Sequence, residues 1–180
     1  MGVPDRRAIF ESLVTEHYAA LYRYAYRLSG SASDAEDLTQ ETFCKAQMLY
    51  DQLRDTSRVR SWLFSILRNA YLHHARAERN HREVSLDHAG DVPEAVDLNI
   101  QTVDSEQLQQ ALAELPETFR TPVILYYFED FSYREIADQM ELPLGTVMSR
   151  LSRAKEYLYK RLSPAAESAP CRGRANNGLS

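Results

Sequence analysis

The chain has 180 residues, of which 44% are hydrophobic and 26% are charged, so it is long enough for one ordinary domain or two small ones and is not disordered throughout. Its formal net charge of −5 argues against a protein that binds nucleic acid through bulk positive charge, since such proteins are usually basic overall. Any contact with nucleic acid must therefore be local.

The cysteines and the N-terminus indicate a cytoplasmic protein. Cys44 and Cys171 are far apart and match no metal-binding spacing, so they fit a reducing compartment better than a disulfide framework. The first residues contain no apolar core long enough for a signal peptide, and no run of roughly 18 apolar residues suggests a membrane span. We expect cytoplasmic localisation, no membrane span, no metal site and no cofactor.

Two helices are predicted near the start of the chain. Apolar residues recur every three or four positions over residues 10–28, and Gly30 ends this first helix. Ser33 and Glu36 have the spacing of a capping box, in which each side chain bonds a free backbone N–H of the first turn. This spacing predicts a second helix over about residues 34–50.

A third helix is predicted to begin near Ser57, which completes an all-α bundle with no convincing strand. The positions expected to face inward are Ala35, Leu38, Thr42, Ala46 and Leu49 in the second helix, and Val59, Trp62, Leu63, Ile66, Ala70 and His73 in the third.

The helical pattern stops over residues 84–104, which contain five acids and no Lys or Arg, with Gly90 and Pro93 to break any helix. We interpret this stretch as a flexible linker, which could extend to roughly 70 Å and would span about 25 Å as a relaxed coil. It could hold two folded modules about two turns of DNA apart, although a plain tether is an equal alternative. The predicted organisation is a helical domain over 6–83, the linker over 84–104, a second helical domain over 105–163 and a disordered tail over 164–180.

The stretch "FSYREIADQMELPLGTVMSRLSRAKEYL", which begins at Phe131, predicts two helices joined by a turn. Ser132 and Glu135 form another capping box, and Phe131 and Ile136 stand at the two positions of a hydrophobic staple. The first helix should end at about Met140.

The second of these helices is predicted to start with Pro143, whose missing N–H costs nothing in a first turn. Gly145 would let backbone amides approach a phosphate, whereas Glu141 would be strained if the turn required a left-handed backbone. Val147, Leu151, Ala154 and Leu158 should face the bundle. The opposite face carries Thr146, Ser149, Arg150, Ser152, Arg153 and Glu156. Short hydroxyl side chains and arginines suit a recognition helix in a major groove, and the alternative is an ordinary helical hairpin with a solvated face.

Two oppositely charged surfaces are predicted in the first half of the chain. The second helix has an acidic stripe formed by Asp34, Asp37, Gln40 and Glu41, with no neutralising base, for which simple stabilisation of the helix N-terminus is the alternative explanation. The third helix is basic and carries Arg58, Arg60, Arg68, Arg76, Arg79 and Arg82, with His73, His74 and His81 among them. Basic residues interspersed with Trp62 and Tyr71 are typical of surfaces that bind single-stranded DNA.

Three segments together carry a family resemblance: "DAEDLTQETFCKA", "SWLFSILRNAYL" and "LPETFRTPVILYYFEDFSYREIADQMELPLGTVMSRLSRAKEYL". In this order, and over roughly residues 10–162, they resemble the extracytoplasmic-function sigma factors, the two-domain promoter-recognition subunits of bacterial RNA polymerase. The resemblance implies two helical domains, sigma regions 2 and 4. It also implies core RNA polymerase and promoter DNA, both duplex and single-stranded, as partners, and it allows an anti-sigma protein as a further one.

The resemblance also assigns roles to residues. The polymerase-binding surface would consist of Asp34, Asp37, Gln40, Glu41 and Phe43. The minus-ten element would be bound by Trp62, Leu63, Ile66, Arg68, Asn69 and Arg76, with Asn69 lining a pocket for a flipped base. The minus-thirty-five element would be bound by Thr146, Ser149, Arg150, Ser152 and Arg153. Met148 departs from the family, which often has a basic residue there, and the acidic linker would follow a polymerase channel otherwise occupied by RNA.

Three other functions are compatible with parts of this sequence. A stand-alone transcriptional regulator explains the helix-turn-helix but not the acidic stripe or residues 62–69, and it would need a dimer interface or a ligand pocket. An enzyme is disfavoured because His73 and His74 point about 100° apart on a helix and no catalytic motif occurs, so we assign no catalytic residue. A protein-only adaptor that binds acidic partners is the third alternative.

Overall fold

The computed structural model of the protein describes residues 6–79 and 105–162. The helices are α1 (Arg6–Ser29), α2 (Ala32–Leu49), α3 (Val59–Arg79), α4 (Ser105–Glu114), α5 (Glu117–Tyr127), α6 (Tyr133–Met140) and α7 (Leu144–Leu162), with short 3₁₀ turns at Tyr50–Gln52 and Thr56–Arg58. These residues contain no strand, and the predicted all-α fold is confirmed. The predicted linker over 84–104 and tail over 164–180 lie outside the described residues.

The junction between α1 and α2 differs from the prediction. Gly30 ends α1 as expected, with φ of +76° and its N–H donating to the Tyr26 carbonyl at 2.8 Å. The N-cap of α2 is Ser31 and not Ser33, and its hydroxyl accepts from the Asp34 N–H at 3.3 Å. Because the left-handed turn at Gly30 is followed at once by extended backbone at Ser31, the helix begins two residues earlier than Asp34.

Helices α1 to α3 form the N-terminal bundle. The apolar positions predicted for α2 are buried, apart from Leu49, which is 36% exposed. In α3 the last buried residue is Ala70, and His73 is exposed. The inward placement of Leu49 and His73 was therefore wrong, because each lies beyond the last buried turn of its helix.

Helices α4 to α7 form the C-terminal bundle, and α5 runs through Pro122 without interruption. A proline has no N–H, so it leaves the carbonyl four residues earlier, on Thr118, without its helical donor. The Arg150 guanidinium of α7 donates to this carbonyl at 3.4 Å. The proline therefore provides an acceptor that links α5 to α7.

The α6–turn–α7 unit follows the sequence prediction closely. The capping box of Ser132 and Glu135 is formed in both directions, and the staple residues Phe131 and Ile136 are buried. Helix α6 ends at Met140, and the residue that follows it adopts the left-handed conformation anticipated as strained.

The residue that follows α6 is Glu141, and its backbone φ is 54°. Pro143 lies one residue before α7, where its carbonyl accepts from the Val147 N–H at 3.2 Å. The proline thus stands at the N-cap position and not at the first helical position, a difference of one residue.

The two bundles pack against each other. Phe131 of the C-terminal bundle lies with its ring centroid 5.0 Å from that of Phe64, which in turn lies 5.0 Å from Tyr24, and all three rings are fully buried. Arg120 of α5 donates to the Leu28 carbonyl at 2.8 Å and to the Tyr71 hydroxyl at 3.3 Å. This arrangement differs from the predicted pair of separated modules, because the aromatic rings and Arg120 close the two halves into one body.

Candidate nucleic-acid interface

The residues predicted to bind the minus-ten element divide into an exposed and a buried set. Asn69 and Arg76 are exposed on α3, and Trp62 is half-buried against the core. Leu63 is fully buried and Ile66 is 9% exposed, because both belong to the apolar stripe of α3 that faces the core. In this arrangement Leu63 and Ile66 pack beneath the surface. Asn69, Arg76 and the exposed part of Trp62 are the groups that DNA could contact directly.

Three arginines contact the C-terminal bundle: Arg58 in the 3₁₀ turn before α3, and Arg60 and Arg68 in α3. An Nη atom of Arg58 lies 3.2 Å from an Asp138 carboxylate oxygen, and both side chains are largely exposed. Arg68 is mostly buried, and its Nε lies 3.7 Å from a carboxylate oxygen of Glu117, which is also mostly buried.

Arg60 makes the third of these contacts. Its guanidinium donates to the backbone carbonyl of Glu129 and lies 4.6 Å from the centre of the Phe131 ring and 5.2 Å from that of Phe64. The side chain of Arg79 is not among the described ones, and Arg82 and His81 lie outside the described residues.

The acidic stripe on α2 is partly neutralised. Asp34, Asp37 and Gln40 are exposed, as the polymerase-binding prediction requires. Glu41, however, forms an ion pair with Lys45 on the same helix, and the Nε2 atom of His74 in α3 lies 2.9 Å from its carboxylate. The expectation that no base neutralises the stripe was therefore wrong at this residue. The hydrogen bond from Lys45, followed by the nearby positive charges, lowers the pKa of Glu41.

Phe43 lies under this stripe and is buried. Its ring packs edge-on against Phe10 and parallel to Tyr18, with ring centroids 6.3 Å apart in both pairs. Tyr18 is 41% exposed, so the aromatic cluster is accessible from the surface at this ring. Sequence reasoning had not singled out this tyrosine.

The outer face of α7 presents the residues predicted to bind the upstream element. Arg153 is exposed, and Thr146, Ser149 and Ser152 are partly exposed. The Ser149 hydroxyl donates to the Thr146 carbonyl at 3.0 Å, which is a local helical bond. Arg150 extends toward α5 as described above, so Arg153 is the arginine of this face that extends into solvent.

Two apolar side chains also lie exposed near the start of α7. Leu144 is 42% exposed and Met148 is 50% exposed, and their four-residue spacing places them on one side of the helix. Gly145 lies next to them, and a Cβ added there would meet no atom within 4 Å. Packing therefore does not require this glycine.

Glu129, which sequence reasoning missed, is the most buried acid among the described residues at 2% exposure. Its Oε2 lies 3.9 Å from an Nη atom of Arg60, and its Oε1 has no hydrogen-bond partner among the described residues. Burial raises the pKa of Glu129 to about 7, although the nearby charges of Arg23, Arg27 and Arg60 oppose this shift. The sequence signal was an acid inside the apolar run "VILYYFEDF", which is where a buried carboxylate would be found.

In the part of the chain that the structure covers, no group of three or more His, Cys, Asp or Glu side chains could hold a metal ion. His73 and His74 lie with their ring centroids 6.3 Å apart at a steep angle, and His74 is engaged by Glu41. Within the same residues, no helix is long and apolar enough to cross a membrane.

Two family models match the chain in sequence order. The model for Sigma-70 region 2 matches residues 13–81, and the model for Sigma-70, region 4 matches residues 105–158. The first covers the N-terminal bundle with the acidic stripe and α3, and the second covers the C-terminal bundle with α7.

Relatives with assigned names agree with these matches. The ECF RNA polymerase sigma factor SigE of Mycolicibacterium smegmatis is 38% identical over 169 residues, covering 89% of this chain and 65% of the relative. The chain thus spans just under two thirds of that relative's length. The ECF RNA polymerase sigma factor SigL of Mycobacterium tuberculosis is 35% identical over 154 residues, covering 84% of this chain and 87% of the relative.

Solved structures show the same fold. The sigma factor RpoE of Bartonella quintana, in complex with the anti-sigma factor NepR, has a TM-score of 0.68 and 29% identity, covering 85% of this chain and 96% of its own. CnrH, in complex with the cytosolic domain of CnrY, has a TM-score of 0.61 and 25% identity, with 86% and 87% coverage. The two matched regions, the named relatives and the shared fold agree, and this chain therefore belongs to the extracytoplasmic-function (ECF) sigma factors of RNA polymerase.

Proposed function

We propose that this chain binds core RNA polymerase, directs it to promoters through two DNA elements and promotes strand opening. The observation that carries the proposal is the presence of two helical bundles, matched in order by sigma regions 2 and 4, each with an exposed polar face suited to DNA. The proposal assigns residues 6–83 to core polymerase and the minus-ten element, and residues 105–163 to the minus-thirty-five element. Residues 84–104 join them as a linker, and residues 164–180 form a tail without an assigned role.

Within the N-terminal bundle, core polymerase docks on the stripe of Asp34, Asp37, Gln40 and Glu41, with the buried Phe43 supporting it. This stripe is exposed at its first three positions, and the Tyr18–Phe43 stack supplies an apolar body beside it. A charged rim around an aromatic centre is typical of protein–protein interfaces. The acid of Glu41 is shared with Lys45 and His74, so we expect it to contribute less than Asp34 or Asp37.

The minus-ten element contacts α3. Asn69 and Arg76 are exposed and Trp62 offers a partly exposed ring, while Leu63 and Ile66 hold the helix from within the core. Extruding a base costs a few kcal/mol, which hydrogen bonds to an unpaired base can offset. Strand opening would then be driven by binding, and no catalytic activity of the chain is part of the proposal.

The minus-thirty-five element is read as duplex DNA by α7. Arg153 extends into solvent, and the short side chains of Thr146, Ser149 and Ser152 allow the helix to approach base edges closely. Arg150 contacts the Thr118 carbonyl in the unbound chain and is close enough to the same face to turn toward a phosphate. We place this activity in the cytoplasm, with an anti-sigma protein as a further partner, because the solved complex of RpoE contains such a partner.

Co-purification with core RNA polymerase tests this proposal against a stand-alone regulator. We expect the chain to elute with purified core enzyme and the holoenzyme to retard promoter DNA, whereas the free chain retards it little at physiological salt because its net charge is −5. Substitution of Asp34 and Asp37 by Asn should weaken the complex, and Asp51→Asn serves as an acidic control outside the stripe. Equally tight, specific DNA binding by the free chain would contradict the proposal.

A further inference from the structure

Helix α7 begins with a short apolar ridge, formed by Leu144 and Met148, that faces solvent. The two side chains are 42% and 50% exposed, and neither belongs to the described residues that form the core or pack against it. Leu142, two positions before α7, does pack against the core. The apolar side chains therefore change from buried to exposed where the helix begins, which leaves the ridge available to a partner.

The position of the apolar ridge relates it to the face of α7 that is predicted to bind DNA. Residues four apart on an α-helix differ by about 40° in direction, so Leu144, Met148 and Ser152 follow one another along roughly 12 Å of one side of α7. Ser152 belongs to the predicted DNA face, so the ridge forms one edge of that face. The opposite edge carries Arg150, whose guanidinium contacts the Thr118 carbonyl of α5. The edge with the apolar ridge is thus the open one.

The surroundings of the apolar ridge suit duplex DNA. Residues 144–153 contain two arginines and no acid, and a Cβ added at Gly145 would meet no atom within 4 Å. A major groove offers acceptors for arginine and, at every thymine, a C5-methyl group for an apolar side chain. The first residues of a recognition helix are the ones that reach base edges, and an unbranched methionine adapts its shape to such a contact.

We propose that Leu144 and Met148 recognise thymine in the minus-thirty-five element by packing against its C5-methyl group. The chain then prefers A·T pairs at one or two positions beside the bases that Arg153 contacts. This proposal deepens the proposed function and rests on it, because it requires α7 to bind the element as duplex DNA. It assigns sequence readout to two side chains that offer no hydrogen bond, in addition to the hydroxyl and guanidinium groups of the same face.

Replacement of thymine by uracil tests the proposal, because uracil forms the same base pair and lacks only the C5-methyl group. The probe is a promoter duplex that supports run-off transcription by the holoenzyme. Each thymine of its minus-thirty-five element, on either strand, is replaced in turn by uracil, and competition gel shifts with the holoenzyme give the affinity of each duplex relative to the parent.

The variants are Met148→Ala and Leu144→Ala, whose shortened side chains cannot reach the methyl group. Tyr159→Ala is the matched control. Tyr159 is 40% exposed and lies on the same side of α7 as Met148, but about 16 Å further along the helix. All three changes are at exposed positions, so we expect each variant to retain its helical circular dichroism.

We expect uracil at one or two positions to weaken binding by the unmodified holoenzyme about fourfold, which is the effect of removing one buried methyl-sized group. This penalty should fall below about twofold in Met148→Ala or Leu144→Ala and should persist in Tyr159→Ala. Absence of a penalty at every thymine would overturn the proposal, as would a penalty that both alanine variants retain. Weaker binding of core polymerase by Met148→Ala would also overturn it and would assign the ridge to a protein partner.

The same experiment separates this proposal from the proposed function. A holoenzyme that binds and transcribes the promoter equally well with uracil and with thymine removes only the recognition of thymine. Failure of the chain to form a holoenzyme that retards any promoter duplex removes the proposed function, and the recognition of thymine with it.

Discussion

Asn69 and Leu63 lie on the same helix, but their surroundings assign them different tasks. Asn69 is exposed and offers both a donor and an acceptor, while Leu63 is fully buried in the core. The family resemblance assigns both residues to the minus-ten element. Their burial shows that Asn69 is available to contact a base, whereas Leu63 holds the helix in position from within the core. The same distinction applies on α7, where Arg153 extends into solvent and Arg150 contacts α5.

Asn69→Ala should impair strand opening more than it impairs binding of duplex DNA, because it removes hydrogen bonds that only an unpaired base could make. Permanganate footprinting of the holoenzyme on a promoter measures the opening. Ser65→Ala is the control on the same helix, since its hydroxyl donates only to the Ser61 carbonyl. Normal footprints in the Asn69 variant would show that this residue does not line the pocket.

Arg153→Ala should weaken binding of the upstream element by about 1–3 kcal/mol if the guanidinium grips a guanine, and should relax the sequence preference at that position. A competition gel shift with the holoenzyme and duplexes that vary at each upstream position provides the measurement. Lys160→Ala, in the last turn of α7 and paired with Glu156, should leave both affinity and preference unchanged. A uniform loss across all duplexes would indicate a phosphate contact and no base readout.

At the scale of elements, the α6–turn–α7 unit is specified by local chemistry. The capping box and the staple define the start of α6, and the left-handed Glu141 marks its end. These signals act over three to five residues, which is why the sequence alone predicts this unit well. The error at Ser33 also has a local origin, because the left-handed turn at Gly30 is followed by extended backbone at Ser31, which places the cap two residues before Ser33.

Glu141→Gly should stabilise the protein by about 1 kcal/mol, because glycine adopts φ of 54° without the steric cost that a side chain brings. Urea denaturation followed by circular dichroism gives the free energy of unfolding. Glu141→Ala is the control, since it removes the carboxylate but keeps the Cβ and should give no comparable gain. A gain of equal size for alanine would assign the effect to charge and not to backbone conformation.

At the scale of the whole molecule, the contacts that close the two bundles could not be predicted from the sequence. Arg120 reaches a carbonyl 92 positions earlier in the chain, and Arg60 reaches one 69 positions later. No periodicity or capping signal relates residues at such distances, so the sequence predicted two separately folded modules and not the contact between them. Glu129 was missed for the same reason, since its burial depends on both bundles.

Glu129 makes the closed arrangement sensitive to pH. Its carboxyl is faced by Arg23 and Arg27 of α1 and by Arg60 of α3, with Asp130 next to it in the chain, and burial nevertheless raises its pKa to about 7. If opening returns this pKa toward its ordinary value of 4.5, closure binds a proton. The contribution of Glu129 to closure is then fully present below the ordinary pKa and is lost as the pH rises through about 7.

Glu129→Gln, which stays neutral, should therefore hold the two bundles together more strongly than the unmodified chain does at about pH 8, and equally at about pH 4. The free energy of unfolding, measured by urea denaturation at both pH values, reports this difference. His17, whose pKa is lowered by burial, is present in both proteins, so its effect cancels in the difference between their free energies of unfolding. A glutamine variant that is no more stable than the unmodified chain at about pH 8 would contradict the role of Glu129.

Run-off transcription by core RNA polymerase, with and without the purified chain, on a library of genomic promoter fragments tests the central claim most directly. We predict discrete transcripts that depend on the chain and start at a fixed distance from two shared sequence elements, and we predict their loss when Asn69 and Arg153 are both replaced by alanine. Transcripts that are identical with and without the chain would contradict its assignment as a promoter-recognition subunit.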